Sequence, residues 1–160
     1  MSNKIKLFVC DVDGTLTDGK IYFGNDGEIF KAFDIKDGYG LYHLLPSNEI
    51  EPIVITGRNS EIVRKRCEDL RIKEVHQGIS DKFSYLKDIL HKKNMTMAEV
   101  AYIGDDLNDL ICMEEVNKHG GMTACPQNAI KAVKEIAGYV CENDSGNGAV
   151  REFIDFILKV

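Results

Sequence analysis

The sequence predicts an α/β fold with a three-layer, Rossmann-like arrangement around a parallel sheet, and an added β-hairpin flap. Short β-branched runs alternate with longer amphipathic stretches, and polar residues follow several of these runs. One aromatic segment interrupts the alternation. The chain has 160 residues, 44% of them hydrophobic and 29% charged, so we expect a single domain over residues 1–160.

The predicted strands are short and apolar, as in parallel sheets that helices cover on both faces. In chain order they span residues 6–10, 53–56, 74–76, 100–104, 122–124 and 139–141. The helices between them are expected to begin with capping residues. They run from Asn59-Ser60 to about residue 70, from Ser80-Asp81 to about residue 93, from Asn108 to about residue 116, and from Ala149 onward.

Residues 20–33 predict a β-hairpin around an Asp26-Gly27 turn. A two-stranded hairpin alone is marginally stable in water, so its apolar side chains must pack against something. These side chains are Tyr22, Phe23, Phe30 and Phe33. They could pack on their own domain, but we expect burial against another subunit, because the hairpin has no obvious partner within the chain. Asp37, which follows the hairpin, is interpreted as a helix cap.

Composition excludes several classes of protein. The 20 basic and 26 acidic residues give a net charge of −6 without a basic segment, so nucleic acid is not an expected partner. The apolar run that Asp11 ends is too short for a signal peptide or a membrane span, which predicts a cytoplasmic protein without membrane association. The five cysteines form no CxxC motif and the four histidines are scattered, so we expect reduced thiols and no zinc site.

Polar side chains follow three of the predicted strands. Asp11 and Asp13 end the first, and Asp105 and Asp106 follow the strand at residues 100–104. Because the carboxyl ends of parallel strands meet at one edge of the sheet, these four acids should crowd one crevice. Their mutual repulsion is tolerable only with a cation among them, and oxygen ligands alone favour Mg²⁺.

The opposite side of this crevice is suited to an anion. Thr56 and the amide of Gly57 follow the second strand, and Lys82 begins a helix. Together they supply hydrogen bonds and positive charge for a phosphoryl group, with Asp11 as the well-placed nucleophile. Taken singly, Thr56 could be a strand-end cap, Lys82 a solvated lysine and Asn108 an N-cap.

In their order and positions these residues resemble the haloacid dehalogenase superfamily of phosphohydrolases. The resemblance implies that Asp11 attacks phosphorus to form an aspartyl-phosphate. Asp13 would protonate the leaving alkoxide and then activate water. Asp11, the main-chain carbonyl of Asp13, and Asp105 would hold Mg²⁺, with Asp106 beside the metal.

The same resemblance places Thr56 and Lys82 on the transferring phosphoryl group. Asn108 and Asp109 are supporting residues, and they could serve only to fix the loop that presents Asp105. Superfamily members usually carry a cap domain, and the segments between these motifs leave no room for one. We therefore expect a capless protein whose crevice is closed by a neighbouring subunit.

Over nearly the whole chain the sequence resembles the small capless tetrameric branch of phosphatases for 3-deoxy-D-manno-octulosonate 8-phosphate (KDO 8-phosphate). The motifs that carry the resemblance are Asp-Gly-Tyr-Gly at 37–40, Ile-Thr-Gly-Arg at 55–58, Gln-Gly at 77–78 and Gly-Ala-Val-Arg-Glu at 148–152. It implies a Mg²⁺-dependent phosphatase of lipopolysaccharide precursor biosynthesis. It also implies a homotetramer in which four hairpins form a central barrel and a partner chain covers each active site.

Arg58 bears on the substrate, because a planar guanidinium suits a bidentate grip on a sugar-acid carboxylate. Relatives acting on nine-carbon ulosonate 9-phosphates tend to carry Glu there, so the resemblance favours the eight-carbon substrate and leaves the nine-carbon one as the alternative. Asn59, Gln77 and Arg151 are further pocket candidates. A receiver-like signalling domain or a non-catalytic oligomeric module is the alternative of another class, and Asp13 argues against the receiver, which needs no second acid.

Overall fold

A six-stranded parallel sheet forms the centre of the protein, which a computed structural model describes over residues 5–160. The strands of the protein are β1 (Leu7–Cys10), β2 (Tyr22–Gly24), β3 (Gly27–Phe30), β4 (Glu51–Ile55), β5 (Glu74–His76), β6 (Val100–Ile103), β7 (Met122–Cys125) and β8 (Tyr139–Val140). The sheet order is β5-β4-β1-β6-β7-β8, and every neighbouring pair is parallel. The predicted α/β class and its six strands are confirmed.

Helices cover both faces of the sheet. They are α1 (Ile35–Tyr39), α2 (Leu45–Ser47), α3 (Glu61–Asp69), α4 (Lys82–Lys93), α5 (Leu107–Lys118), α6 (Lys131–Ile136) and α7 (Ala149–Leu158), with a π-helical turn at Gly40–Leu44 and a 3₁₀ turn at Met97–Glu99. Successive β1 side chains point to opposite faces, as strand geometry requires. Phe8 packs in one buried cluster with α3 and α7, and Val9 packs in the other with α4 and α5. The three-layer architecture is confirmed.

Side-chain caps fix where the helices begin. Ser60 accepts a hydrogen bond from the Val63 amide, and Asp81 accepts one from the Ser84 amide, as predicted. The expected start of a helix at Asn108 is wrong, because Asp106 caps α5 through the Leu107 amide at 2.7 Å. The six-residue α6 was not predicted, since so short a segment shows no clear period.

The start of α7 departs from the expected pattern. Its N-cap is Gly148, which has no side chain, and Asp37 supplies the missing acceptor by taking a hydrogen bond from the Arg151 amide at 2.8 Å. Asp37 therefore does not cap the helix that follows the hairpin, since Asp34 caps α1. A helix N-terminus favours a carboxylate whichever part of the chain provides it.

The hairpin at β2 and β3 is present, but its turn is shifted by one residue. Gly24 pairs with Gly27, so the turn residues are Asn25 and Asp26, and the positive φ of +104° at Gly27 suits glycine. Its apolar surface is largely open: the exposed fractions are 72% for Phe23, 63% for Ile29 and 49% for Phe30. In contrast, Phe33 packs against the core of its own domain. Among residues 5–160, no helix is long and apolar enough to cross a membrane.

Candidate active site

The ends of β1 and β6 bring two of the predicted acids together. Cys10 aligns with Ile103 in the sheet, so Asp11 and Asp105 leave adjacent strands at the same edge. Carboxylate oxygens of Asp11, Asp105 and Asp109 all lie within 4.8 Å of one another. We call these three side chains the carboxylate cluster. It stands at the carboxyl edge of the sheet, where open α/β folds bind ligands.

Lys82 is the cation of this cluster. Its Nζ lies 3.0 Å from Asp11 Oδ1 and 2.8 Å from Asp109 Oδ1, and its side chain is fully buried. Burial alone would lower the pKa of Lys82, but Asp11 and Asp109 outweigh it and raise the pKa above its ordinary value. The lysine is therefore charged, and it is not the solvated helix residue that was one interpretation of the sequence.

Asp109 organises the loop after β6. It is fully buried and accepts hydrogen bonds from the Tyr102 hydroxyl at 2.7 Å, from Lys82, and from the Asp105 amide at 3.0 Å. Its oxygens are thus occupied by donors of the protein itself. Sequence reasoning missed Tyr102, although a tyrosine inside an apolar central strand indicates a buried hydroxyl that needs a partner.

Asp105 is held against the loop that follows β1. Thr15 Oγ1 donates to Asp105 Oδ1 at 3.0 Å. Gly14 makes this approach possible, because a Cβ there would lie 2.1 Å from Asp105 Oδ2, and its φ of +86° also favours glycine. Burial, together with the nearby Asp11 carboxylate, raises the pKa of Asp105. Burial also raises the pKa of Asp11, reinforced by Asp109 and opposed by Lys82.

The oxygen ligands that the carboxylate cluster offers fit a divalent cation. Three crowded carboxylates face one lysine, so the ionised acids carry more negative charge than the lysine compensates. Hard oxygen ligands without nitrogen or sulfur suit Mg²⁺. Asp11 and Asp105 are the side chains available to hold it, because the oxygens of Asp109 already accept hydrogen bonds.

The Asp13 side chain does not join the cluster. Its Oδ1 accepts a hydrogen bond from Lys31 Nζ at 2.5 Å, and its Oδ2 lies 3.9 Å from Arg58 Nε. This leaves only the main chain of Asp13 for the expected metal contact. Lys31, on the hairpin, was missed from the sequence, which gave no sign that it folds back onto Asp13.

The loop after β4 lies on the other side of the crevice. Thr56 is buried, with its amide donating to His76 O and its carbonyl accepting from Ile79 N. A Cβ on Gly57 would stand 3.9 Å from Asn108 Nδ2, so this loop adjoins the first turn of α5. The predicted phosphate-binding segment and the predicted supporting segment are therefore neighbours.

The remaining candidates lie at the edges of the site or outside it. Arg58 and Asn59 are exposed beside Thr56, and Gln77 holds this loop by accepting from the Ser60 amide. Asp106 is exposed as the cap of α5. The Arg151 guanidinium pairs with Asp155 at 2.7 Å and lies over the Tyr39 ring, so it is not part of the carboxylate cluster. Their predicted roles stay predictions.

Known proteins show the same fold and a closely related sequence. A family profile for haloacid dehalogenase-like hydrolases matches residues 71–154. The chain is 43% identical over 157 residues to the 3-deoxy-D-manno-octulosonate 8-phosphate phosphatase of Salmonella typhi, covering 98% of this chain and 81% of that protein. The corresponding phosphatase of Escherichia coli K12 is 42% identical over the same length.

Solved structures agree with the sequence match. The crystal structure of the Yersinia pestis 3-deoxy-D-manno-octulosonate 8-phosphate phosphatase superposes with a TM-score of 0.91 at 39% identity, covering 99% of this chain and 83% of that one. The Moraxella catarrhalis phosphatase, solved with magnesium, phosphate and KDO, gives 0.91 at 38% identity, with 99% and 88% coverage. The chain belongs to the 3-deoxy-D-manno-octulosonate 8-phosphate phosphatase family of haloacid dehalogenase-like hydrolases.

Proposed function

We propose that this protein is a Mg²⁺-dependent phosphatase that hydrolyses KDO 8-phosphate to KDO and phosphate. The observation that carries the proposal is the buried contact between Lys82 and Asp11 beside Asp105, at the edge of the sheet where ligands bind. Relatives of the same name over 98% of the chain, one of them solved with magnesium, phosphate and KDO, support the substrate.

Asp11 is the proposed nucleophile. Lys82 holds its Oδ1 at 3.0 Å, which orients the carboxylate and leaves its other oxygen for attack on phosphorus. Thr56 and the Gly57 amide are proposed to bind the phosphoryl oxygens. When bound by Asp11 and Asp105, Mg²⁺ supplies positive charge against the phosphoryl group and the developing negative charge.

Asp13 is the proposed acid and base. It would give a proton to the leaving sugar oxygen and later take one from the water that attacks the aspartyl-phosphate. Its position two residues after Asp11 and outside the carboxylate cluster supports an acid–base role for Asp13 that is separate from the nucleophile role of Asp11. A phosphate-storing receiver domain would need no such residue.

Arg58 is proposed to recognise the sugar-acid carboxylate. Its side chain is 51% exposed and stands next to Asp13, at the mouth of the crevice, where a substrate can reach it. A guanidinium offers a carboxylate two parallel hydrogen bonds. Both candidate acids carry a carboxylate, so the preference for the eight-carbon acid rests on the resemblance, in which relatives acting on nine-carbon ulosonate 9-phosphates tend to carry Glu at this position.

A homotetramer built through the hairpin completes the proposal. The open faces of Phe23, Ile29 and Phe30 form an apolar surface of the kind that binds protein. A neighbouring subunit would then cover the crevice of a chain without a cap domain. The same proposal includes a cytoplasmic location.

Steady-state phosphate release tests the function. We expect kcat/KM to be at least about tenfold higher for KDO 8-phosphate than for a nine-carbon ulosonate 9-phosphate, and activity to vanish with EDTA and return with Mg²⁺. Arg58→Lys should reduce the preference between the two acids, with the exposed Arg64→Lys as its control. A preference for the longer acid, or full activity in EDTA, would overturn the proposal.

A further inference from the structure

Lys31 is a buried cation at the end of the hairpin. It directly follows β3, and its side chain is only 1% exposed. An ammonium group leaves water only when it finds anionic partners. Lys31 has two: Asp13 Oδ1 at 2.5 Å and Glu28 Oε1 at 2.8 Å.

The contact with Asp13 involves one oxygen only. Lys31 holds Oδ1, which fixes the plane of the carboxylate, while Oδ2 lies 3.9 Å from Arg58 Nε on the open side of the crevice. Oδ2 is therefore the oxygen free to exchange a proton with a substrate oxygen. Without Lys31, the carboxyl group could rotate away from the productive geometry, and misplacement by about 1 Å can cost about 100-fold in rate.

The lysine is itself anchored to the substrate-binding loop. Glu28 Oε2 accepts a hydrogen bond from Ser60 Oγ at 2.5 Å, and the Ser60 amide donates to Gln77 Oε1 at 2.7 Å. The ion pairs thus join the hairpin to the loop that carries Thr56 and Arg58.

We propose that Lys31 is a positioning residue that aims Asp13 for proton transfer. It acts through Asp13 and does not touch the reacting atoms, and the inference rests on the proposed function. In the first step Asp13 acts in the protonated form that the second step of the preceding turnover leaves: the bond from phosphorus to the sugar oxygen breaks, a bond to Asp11 forms, and the proton of Asp13 goes to the sugar oxygen. In the second step water attacks the same phosphorus, its proton passes to Asp13, and the Asp11 carboxylate is released.

Leaving-group dependence tests this role. The parameter kcat/KM reports the first irreversible step, and p-nitrophenolate leaves without needing a proton, whereas phenolate and a sugar alkoxide need one. We expect Lys31→Met to lower kcat/KM by less than about 3-fold for p-nitrophenyl phosphate, by about 10-fold for phenyl phosphate and by about 100-fold for KDO 8-phosphate. Phenyl and p-nitrophenyl phosphate are both aryl esters without a sugar acid, so this contrast does not depend on sugar recognition.

Three further variants complete the test. Lys31→Arg should restore most of the activity toward phenyl phosphate, and Lys20→Met, at an exposed lysine of the same segment, should resemble wild type. Equal losses on the two aryl phosphates, or no loss at all, would overturn the positioning role. Asp13→Asn separates the two hypotheses. If Asp13→Asn loses kcat/KM equally on phenyl and p-nitrophenyl phosphate, the acid role of Asp13 in the proposed function fails. If Asp13→Asn loses more on phenyl phosphate and Lys31→Met does not, only the positioning role of Lys31 fails.

Discussion

The sheet edge and the hairpin differ in which kind of side chain they bury and which they expose to solvent. At the edge of the sheet the chain buries charge: Lys82 and Asp109 are withdrawn from water beside Asp11. At the hairpin it exposes apolar surface, with Phe23 72% and Ile29 63% open to solvent. Burying charge and exposing large apolar groups are both costly, so each feature points to a role beyond stability.

The two regions differ in the kind of binding partner that their side chains suit. The charges at the sheet edge are matched within one chain, except for an excess of carboxylates that suits a cation. The outer face of the hairpin has exposed aromatics that suit a partner surface. Lys31 and Glu28 connect the two regions, since they lie on the hairpin and reach Asp13 and Ser60. Substitutions can therefore test whether the regions act separately.

The largest expected effect is on chemistry at the sheet edge. Asp11→Asn removes the proposed nucleophile and should lower kcat by about 10⁴-fold or more, while the hairpin and its assembly stay unchanged. Phosphate release measures kcat, and light scattering measures the mass of the assembly. Asp88→Asn, on the exposed face of α4, is the matched control. A dissociated assembly in Asp11→Asn would show that the regions are not separate.

The converse change is made at the hairpin. Phe23→Asp places a charge in the exposed apolar face and should convert the proposed tetramer into smaller species, because an unpaired charge is not tolerated in an apolar interface. Light scattering gives the mass. Ile111→Asp, at a residue 56% exposed on α5, should leave the mass unchanged. An unchanged mass for Phe23→Asp would remove the hairpin from the interface.

Removal of the buried cation should destabilise the sheet edge. Lys82→Met leaves Asp11 and Asp109 without their partner and should lower the free energy of unfolding by about 3–5 kcal/mol. Urea unfolding in EDTA measures it, with the exposed Lys92→Met as control. A loss below about 1 kcal/mol, like that of a surface ion pair, would contradict the burial of this cluster.

A smaller effect of pH is expected at Asp37. Burial, the main cause, raises the pKa of Asp37 to about 6. The folded state then holds the proton of Asp37 more tightly than the unfolded state. The protonated Asp37 therefore contributes to the free energy of unfolding in full below about pH 4, and this contribution is lost as pH rises through about 6, a change of up to about 3 kcal/mol. The difference in unfolding free energy between wild type and Asp37→Asn should follow this trend. A pH-independent difference would contradict it.

Local patterns predicted much of the fold and of the site. Strand periodicity located the six sheet strands, and the shared edge of a parallel sheet predicted that Asp11 and Asp105 would meet. The side chains of Asp13 and Asp106, expected in the same crevice, lie outside the carboxylate cluster. In contrast, Asp37 caps a helix 114 positions away, and Lys31 reaches Asp13 by folding back across 18. Such contacts depend on tertiary packing and leave no period or motif in the sequence, so they could not be predicted.

The central claim is that Asp11 receives the phosphoryl group from the substrate. Acid quenching during turnover of ³²P-labelled KDO 8-phosphate, followed by peptide mapping, tests it most directly. The wild-type enzyme should carry label on the peptide that contains Asp11, and Asp11→Asn should carry none and release no phosphate. Rapid phosphate release by Asp11→Asn, or label on another residue, would contradict the claim.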